Sequence, residues 1–196
     1  SQPTTIFPVD ENGVLLENLP QLPSFVNENR VCESIRSVFY LPDFIDAEQE
    51  LALCRGLQTL ADQTFHTISG RDVLMLGGVP FEQGMQLEEL PKLFTPLLKQ
   101  LEPIFGGVTP NHILVNRYDA GKGIMPHTDG PLYVSRVCIV SLLAPAEFCF
   151  GSYIDPEKQP RQWQTKEKLQ IEPKSLLVFQ DDAYLKLLHT IQDSKS

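Results

Sequence analysis

From residue 112 onward, the sequence is a succession of short β-prone segments separated by turn-forming residues. In chain order the segments are HILVNRY, RVCIVSLL, EFCF, KLQIEP, SLLVF and AYLKLLH. Many short strands that alternate with turn signals are typical of antiparallel β-architectures. The second half of the chain is therefore predicted to form a mostly antiparallel β-core.

Two helices are predicted ahead of this β-core. Residues 46–63 carry apolar side chains at helical spacing, and Asp46 followed three residues later by Gln49 is a capping-box pattern. Residues 88–105 carry a stripe of leucines, and Pro96 within them should kink the helix or restart it. The predicted fold class is α+β, with the N-terminal helices packed on the outside of the β-core.

The organisation of the chain follows from its length and from its prolines and glycines. Residues 1–30 contain four prolines among many polar residues and are predicted to be a partly ordered leader. Residues 31–196 are predicted to be a single domain, because a chain of 196 residues is long enough to bury one sizeable core. Residues 64–85 are broken by glycines and are predicted to form hairpins.

The apolar runs and the cysteines indicate where in the cell the protein is expected. No run is long enough to span a bilayer, and the first residues lack the basic and apolar regions of a secretory signal, so we expect no membrane association. The four cysteines have no zinc-site spacing and are expected to be reduced thiols. Reduced thiols predict the cytoplasm and nucleus, and we expect a monomer.

The formal net charge of −9 argues against tight, non-specific binding to a phosphate backbone, which depends on lysine and arginine. A local basic path remains conceivable, and its members would be Arg161, Lys166, Lys168 and Lys174. The favoured alternative is a solvated face whose charges are balanced by Glu157, Glu167 and Glu172.

The segment GIMPHTDGPLY, residues 123–133, places His127 and Asp129 two residues apart between a proline and a Gly-Pro pair. On an extended segment these two side chains point to the same face and present a nitrogen and an oxygen ligand together. His189 is the only histidine further along the chain. Two histidines and one carboxylate form the facial triad of non-haem Fe(II) oxygenases. H-x-D alone is a weak signal, and the alternative for His189 is a core histidine at a strand end.

The residues around the His127–Asp129 segment support its interpretation as part of a metal site. Asn116 and Tyr118 lie two apart on the preceding strand, share a face, and can both hydrogen-bond a carboxylate. The longer segments that carry a resemblance are NHILVNRYDAGKGIMPHTDGPLY (111–133), ISGRDVLMLGGVPFEQGM (68–85), VFYLPDFI (38–45) and EPKSLLVFQDDAYLKLLH (172–189). Together they resemble the AlkB-like Fe(II)/2-oxoglutarate-dependent dioxygenases, and most closely the branch around the sixth mammalian AlkB homologue.

The resemblance implies a double-stranded β-helix, or jelly roll, with helices on its outside. It implies that His127, Asp129 and His189 hold Fe(II), and that Asn116 and Tyr118 contact 2-oxoglutarate. Molecular oxygen would be the second co-substrate. The implied reaction is oxidative demethylation of an N-alkylated nucleobase in DNA or RNA, or of a methylated protein, with release of formaldehyde. The loops within 64–85 would cover the substrate.

One departure from the family pattern concerns an aromatic residue near the predicted substrate site. Related sequences carry a tryptophan before the Gly-Gly where this chain has Leu76, and the single tryptophan here, Trp163, lies in a polar stretch. Aromatic stacking is the usual means of holding a flipped base. Phe65, His66 and Phe81 are the candidates to replace it, the alternative being ordinary packing under the hairpin.

Arg71 is a candidate for contact with the substrate or a phosphate, the alternative being support of the hairpin. His112 begins the strand that carries Asn116, and a surface position at the strand end is expected for it.

The main functional hypothesis is an Fe(II)/2-oxoglutarate-dependent dioxygenase. The alternative is a catalytically weak, metal-binding member that acts as a binding module for nucleic acid or protein.

The family pattern also has an arginine on a strand after the last histidine, which binds the far carboxylate of 2-oxoglutarate. The sequence contains no arginine after Arg161. The favoured expectation is that the sequence lacks the last core strand together with this arginine. The alternatives are that another residue takes the role or that 2-oxoglutarate binds poorly.

Overall fold

The computed structural model describes residues 19–68, 70–81, 84–130 and 132–193. Residues 1–18 of the predicted leader lie outside the described residues. Within the described ranges, no helix has the length and apolar character needed to cross a membrane.

The helices lie mainly in the first half of the chain. They are α1 (Ser24–Asn27), α2 (Ala47–Thr64), α3 (Thr95–Leu101) and α4 (Asp181–Leu185), with single 3-10 turns at Lys92–Phe94 and Glu102–Phe105 on either side of α3. The predicted capping box of α2 is confirmed, because Asp46 Oδ1 accepts from Gln49 N at 2.7 Å and Gln49 Oε1 accepts from Asp46 N at 3.2 Å. Pro96 restarts the second predicted helix, since it lies in the first turn of α3, where its missing N–H costs nothing.

Apart from one early strand at Val38–Leu41, the strands occupy the predicted hairpins and the second half of the chain. The early strands are β1 (Val38–Leu41), β2 (His66–Ile68), β3 (Arg71–Leu76), β4 (Gly78–Phe81) and β5 (Gly84–Leu87). The later strands are β6 (Ile113–Tyr118), β7 (Ile124–His127), β8 (Arg136–Val140), β9 (Ala146–Tyr153), β10 (Trp163–Ile171), β11 (Leu176–Gln180) and β12 (Leu188–Ile191). All pairings between these strands are antiparallel, as predicted.

Two sheets enclose the main core. One has the order β1-β11-β8 and the other the order β10-β9-β12-β7. Phe148 and Phe150 of β9 pack against Leu177 and Phe179 of β11 in the space between the sheets. The alternate residues of β11 point to the other face, where helical residues and the N-terminal segment cover them. Because β11 is covered on both faces, its residues 176–179 are an unbroken apolar run.

A third sheet, β2-β3-β6, and the β4-β5 hairpin lie beside this sandwich. Leu76 and Ile113 are cross-strand partners that pack, on one face of the third sheet, against the helical cluster around Leu53 and Leu98. Helices therefore cover the outside of the β-core, as predicted. The other face of the third sheet carries Asn116 and Tyr118.

The packed part of the chain begins earlier than the predicted domain boundary at residue 31. Leu22 and Val26 belong to the cluster that covers the outer face of β11, and α1 lies within the region predicted to be a leader. The buried guanidinium of Arg136 also donates to the carbonyl of Pro20 at 2.6 Å. Residues 19–30 are therefore part of the fold, since apolar burial and a buried hydrogen bond hold them there.

The AYLKLLH segment, predicted to be β, is the clearest error of secondary structure. Its first residues lie in α4, and only its end enters β12. Asp181 and Asp182 occupy the first turn of α4, where carboxylates are favourable near the positive end of the helix. Ala183 and Tyr184 are buried against the core, so packing stabilises a helix that is too short to form alone.

Candidate metal centre

The pairing of β12 with β7 brings the two predicted histidine ligands together. His189 and His127 are direct cross-strand partners, and Asp129 follows two residues after His127. The Nε2 atoms of His127 and His189 lie 3.8 and 3.6 Å from Asp129 Oδ1. Within the described part of the chain, these three residues are the only group of His, Cys, Asp or Glu side chains placed to share a metal ion.

Two hydrogen bonds fasten β12 and the residues that follow it to the residues just before His127. Thr190 Oγ1 donates to the carbonyl oxygen of Ile124 at 2.5 Å. The carboxylate of Asp193 accepts from the backbone N–H of Gly123 at 2.8 Å. These bonds lie close to the His127–His189 pair and fix the register that places both imidazoles on one face.

The hydrogen bond of His127 selects its tautomer. Its Nδ1 lies 2.9 Å from the carbonyl oxygen of Met125. A carbonyl only accepts hydrogen bonds, so Nδ1 carries a proton, and in the neutral form of this ring Nε2 has the free lone pair. This is the usual way in which a second contact of a histidine prepares its other nitrogen for a metal.

His189 is buried and neutral. Its ring stacks on Phe148 with 5.5 Å between ring centroids. Burial, and then the nearby His127, lower the pKa of His189 from 6.5 to about 3. Burial also raises the pKa of Asp129, while His127 opposes that rise. A neutral imidazole is the form that binds a metal, and a bound cation would offset the cost of burying the carboxylate.

The donor chemistry of this cluster fits Fe(II). Two imidazole nitrogens and one carboxylate oxygen within 4.8 Å of one another are the ligand set of the 2-His-1-carboxylate site. The three donors come from one strand pair and one adjoining turn. They can therefore occupy one side of an ion and leave its other side for co-substrates.

The buried state of His189 predicts that acid destabilises the metal-free protein. The unfolded chain binds a proton on this residue near pH 6.5, whereas the folded chain does so only near pH 3. The unfolded state therefore gains protons first as the pH falls below 6.5, so this stability is complete above 6.5 and is lost toward 3. We expect this residue to account for about 1–2 kcal/mol of lost unfolding free energy between neutral pH and about pH 5.

Urea unfolding of the metal-free wild type and of His189→Gln at both pH values measures this contribution. The variant should show a smaller loss on acidification, because glutamine does not titrate. Equal losses in the two proteins would show that other groups cause the acid sensitivity.

The two predicted co-substrate residues, Asn116 and Tyr118, lie on β6 opposite Val73 and Arg71 of β3. Direct cross-strand partners share a face, so Arg71, Asn116 and Tyr118 project from the same side of the sheet. Arg71 Nε donates to Asn116 Oδ1 at 3.0 Å. Burial raises the pKa of the Tyr118 phenol, which Arg71 partly opposes, so its hydroxyl remains a protonated donor.

The predicted substrate residues do not all lie on this face. His66 is exposed and pairs with Val73, so it shares the side of Arg71 and Asn116. Phe65 is one residue earlier and belongs to the opposite side, where the guanidinium of Arg117 lies 4.8 Å from its ring centroid. Strand alternation therefore separates Phe65 from the others, and a substrate role for it does not fit this placement.

The remaining aromatic candidate, Phe81, and the single tryptophan, Trp163, lie elsewhere. Phe81 is at the end of β4 and is 37% exposed. Trp163 lies on β10 against Gly151, where an added Cβ would be 2.7 Å from the indole ring. The indole Nε1 donates to Thr165 Oγ1 at 2.8 Å. Trp163 therefore packs on the sheet, as a half-buried residue.

His112 is not the surface residue that was expected. It is half-buried, and its Nε2 is buried without a hydrogen-bond partner in the described structure. Its ring lies 5.0 Å from that of Tyr133. The prediction was wrong because packing against Tyr133, far along the chain, covers the start of β6.

Sequence reasoning missed two tyrosines beside Asp129. The pKa of Tyr133 is raised by burial and then by Asp129, and the same causes raise the pKa of Tyr184 well above its usual value. Tyr184 also donates to the carbonyl of Gly130 at 2.7 Å and so supports the turn after Asp129. Tyr133 lies within the segment already singled out, whereas Tyr184 was hidden by the incorrect strand prediction.

Three of the four basic residues of the candidate path, Arg161, Lys168 and Lys174, have partners of their own. Lys168 Nζ lies 3.0 Å from Glu147 and Lys174 Nζ lies 3.5 Å from Asp43, while Arg161 lies over the ring of Tyr153. This pattern favours a solvated, charge-balanced face over a basic path. The carboxylates that balance it differ from those predicted, because they come from other strands and loops.

Comparison with known proteins places this geometry in context. The sequence model described as the 2OG-Fe(II) oxygenase superfamily matches residues 80–196. A Danio rerio protein named "Probable RNA/DNA demethylase ALKBH6" is 35% identical over 169 residues, which cover 83% of this chain and 72% of that protein.

Two solved structures are similar in fold. The structure of OsALKBH1 matches with a TM-score of 0.62 and 19% identity over 81% of this chain and 86% of that one. An oxidoreductase of the 2OG-Fe(II) oxygenase family from Burkholderia pseudomallei matches with a TM-score of 0.51 and 16% identity, covering 82% and 79% of the two chains. These likenesses confirm the predicted jelly-roll fold.

Proposed function

Because the chain belongs to the 2OG-Fe(II) oxygenase superfamily as an AlkB-like member, we propose that it demethylates an N-methylated nucleobase in DNA or RNA. Membership makes it an oxidoreductase that uses Fe(II), 2-oxoglutarate and O2. The observation that carries the proposal is the His127, Asp129 and His189 cluster, whose ligand atoms all lie within 4.8 Å of one another. The name of the Danio rerio relative supports the nucleic-acid substrate.

In this proposal the three clustered residues would hold Fe(II). When bound, the ion together with 2-oxoglutarate and O2 supplies the oxidation that inserts oxygen into a methyl C–H bond, while 2-oxoglutarate is converted to succinate and carbon dioxide. The hydroxymethyl group then leaves the nitrogen as formaldehyde. The Tyr118 hydroxyl offers an O–H donor and the Asn116 amide offers an N–H donor. Both suit the carboxylate of 2-oxoglutarate, because a carboxylate can only accept hydrogen bonds.

The face beside Asn116 supports a partly apolar substrate. Ile68 pairs with Arg71, and Met75 pairs with Leu114, so all four side chains lie on the face of Asn116. Ile68, Met75 and Leu114 are exposed although they are apolar. Exposed apolar side chains grouped around polar ones are typical of a binding surface. His66 and Arg71 add polar groups for the edge of a base or a phosphate.

Leu76 in the tryptophan position favours a second candidate, a catalytically weak binding module for nucleic acid or protein, and the net charge of −9 favours protein over nucleic acid as the partner. A methylated protein is the corresponding alternative substrate. Succinate formation that depends on a methylated substrate separates an active demethylase from a binding module.

We further propose a monomer in the cytoplasm and nucleus. The support for this location is that the four cysteines are all free thiols, as expected in a reducing compartment.

The test is turnover of a substrate panel by the purified protein with Fe(II), ascorbate and 2-oxoglutarate. The panel holds single-stranded DNA and RNA oligonucleotides with N1-methyladenine, N3-methylcytosine or N6-methyladenine, and a methyl-lysine peptide. Mass spectrometry follows loss of the methyl group, succinate and formaldehyde, with omission of 2-oxoglutarate as control. We expect demethylation of at least one oligonucleotide. Turnover of the peptide alone would move the substrate to protein, and binding without any turnover would favour the binding module.

A further inference from the structure

The hydrogen bond between Arg71 and Asn116 links the hairpin to the proposed co-substrate site. Arg71 lies directly opposite Tyr118, and Asn116 is the diagonal neighbour on the same face. The Arg71 side chain reaches along this diagonal, and its Nε lies 3.0 Å from Asn116 Oδ1 in a partly buried contact. The two residues are 45 positions apart in sequence, so the contact depends on the β3–β6 register.

This bond fixes the orientation of the Asn116 amide. An arginine Nε–H can only donate, so the amide atom that meets it must be the oxygen. The amide nitrogen is on the other branch of the same planar group and is directed away from Arg71. A flipped amide would set two N–H donors against each other, which is unfavourable in a partly buried place.

The fixed orientation of the Asn116 amide determines which kind of ligand group it can bind. A carboxylate accepts hydrogen bonds and does not donate them, so only the N–H end of the amide can bind it. We propose that Arg71 is a positioning residue that holds the Asn116 amide with its N–H end available to the carboxylate of 2-oxoglutarate. This inference rests on the proposed function, because it takes Asn116 to be a co-substrate residue.

Arg117 is an arginine of the same sheet whose contacts support only the hairpin. It lies next to Asn116 on β6 but on the opposite face, and it forms a 2.6 Å ion pair with Asp72. Within the described ranges, Arg71 has no such carboxylate partner, and its one side-chain hydrogen bond is to Asn116. Arg117 is therefore a matched control for the loss of an arginine from this sheet.

The test is the dissociation constant of 2-oxoglutarate, measured by isothermal titration calorimetry on the Mn(II)-loaded protein without turnover. The variants are Arg71→Met, Arg71→Lys, Asn116→Ala, the double variant Arg71→Met with Asn116→Ala, and Arg117→Met. We expect both Arg71 variants to bind 2-oxoglutarate about tenfold more weakly than the wild type, because lysine keeps the charge but lacks the Nε–H. Arg117→Met should change the constant by about twofold or less.

The double variant separates positioning from direct binding. If Arg71 acts through Asn116, then Arg71→Met should add about twofold or less once Asn116 is alanine. Mn(II) affinity should be the same in all five variants, which shows that the metal site is intact.

Three results would overturn the inference. Wild-type affinity in Arg71→Lys would show that charge alone matters, and wild-type affinity in Arg71→Met would show that the residue is dispensable. An undiminished loss in the double variant would show that Arg71 binds the ligand itself. Wild-type protein that binds Mn(II) but no 2-oxoglutarate would overturn the proposed function, and the inference with it, so the two failures are distinguishable.

Discussion

Replacement of His127 by alanine is expected to abolish 2-oxoglutarate turnover. The substitution removes one of three clustered donors, and the two that remain, Asp129 and His189, hold an ion far less tightly. Loss of an outer-shell partner alone costs 10–100-fold in metal affinity, so loss of a direct ligand should cost at least about 100-fold. Because His127 is half-exposed at the end of β7, its removal should leave the folded core intact.

The measurement is an anaerobic visible spectrum with Fe(II) and 2-oxoglutarate, followed by succinate formation in air. Chelation of iron by 2-oxoglutarate should give a weak charge-transfer band in the wild type that His127→Ala lacks. His66→Ala is the matched control for the band alone, because His66 is also an exposed histidine at a strand end and its proposed contact is with the substrate, not with the metal or 2-oxoglutarate. A variant at His127 that keeps the band would show that the cluster is not the iron site, and loss of the band in His66→Ala would show that the effect is not specific.

Features encoded by neighbouring residues could be predicted from the sequence. The capping box of α2 involves residues three apart, and its geometry depends only on local backbone conformation. The pairing of Asn116 with Tyr118 on one face follows from the two-residue period of a strand. The partnership of His189 with this region needed the recognised family pattern, because no local rule connects residues 62 positions apart.

Features that depend on long-range packing could not be predicted in the same way. The hydrogen bond from Arg71 to Asn116 requires the β3–β6 register, which no stretch of sequence shows by itself. Phe65 and His66 were treated as equivalent, although consecutive strand residues point to opposite faces. The α4 helix was predicted as a strand, because a short apolar segment is compatible with either a strand or a buried helix until its packing is known.

The pairing of β7 with β12 makes Gly123 the other residue at which a small change should have a large effect. An added Cβ there would lie 1.8 Å from the carbonyl oxygen of Ile191, which is backbone and cannot rotate away. Because Gly123 also donates its N–H to Asp193, the crowding falls on a hydrogen bond that holds the two strands together. Separation of the strands would move His127 away from His189, so Gly123→Ala should weaken both the fold and the metal site.

We expect Gly123→Ala to lower the free energy of unfolding by about 3 kcal/mol, near the upper end for a buried overpacking change. For a domain of this size, that corresponds to a fall in melting temperature of roughly 10 °C. Thermal unfolding of the metal-free protein measures the first effect, and Mn(II) titration measures the second. Lys122→Ala is the control, because this neighbouring side chain is exposed and its truncation leaves the strand pair untouched. A melting temperature equal to that of the wild type would mean that β7 and β12 can separate at this point at no cost, and their close approach would then not be what brings the two histidines together.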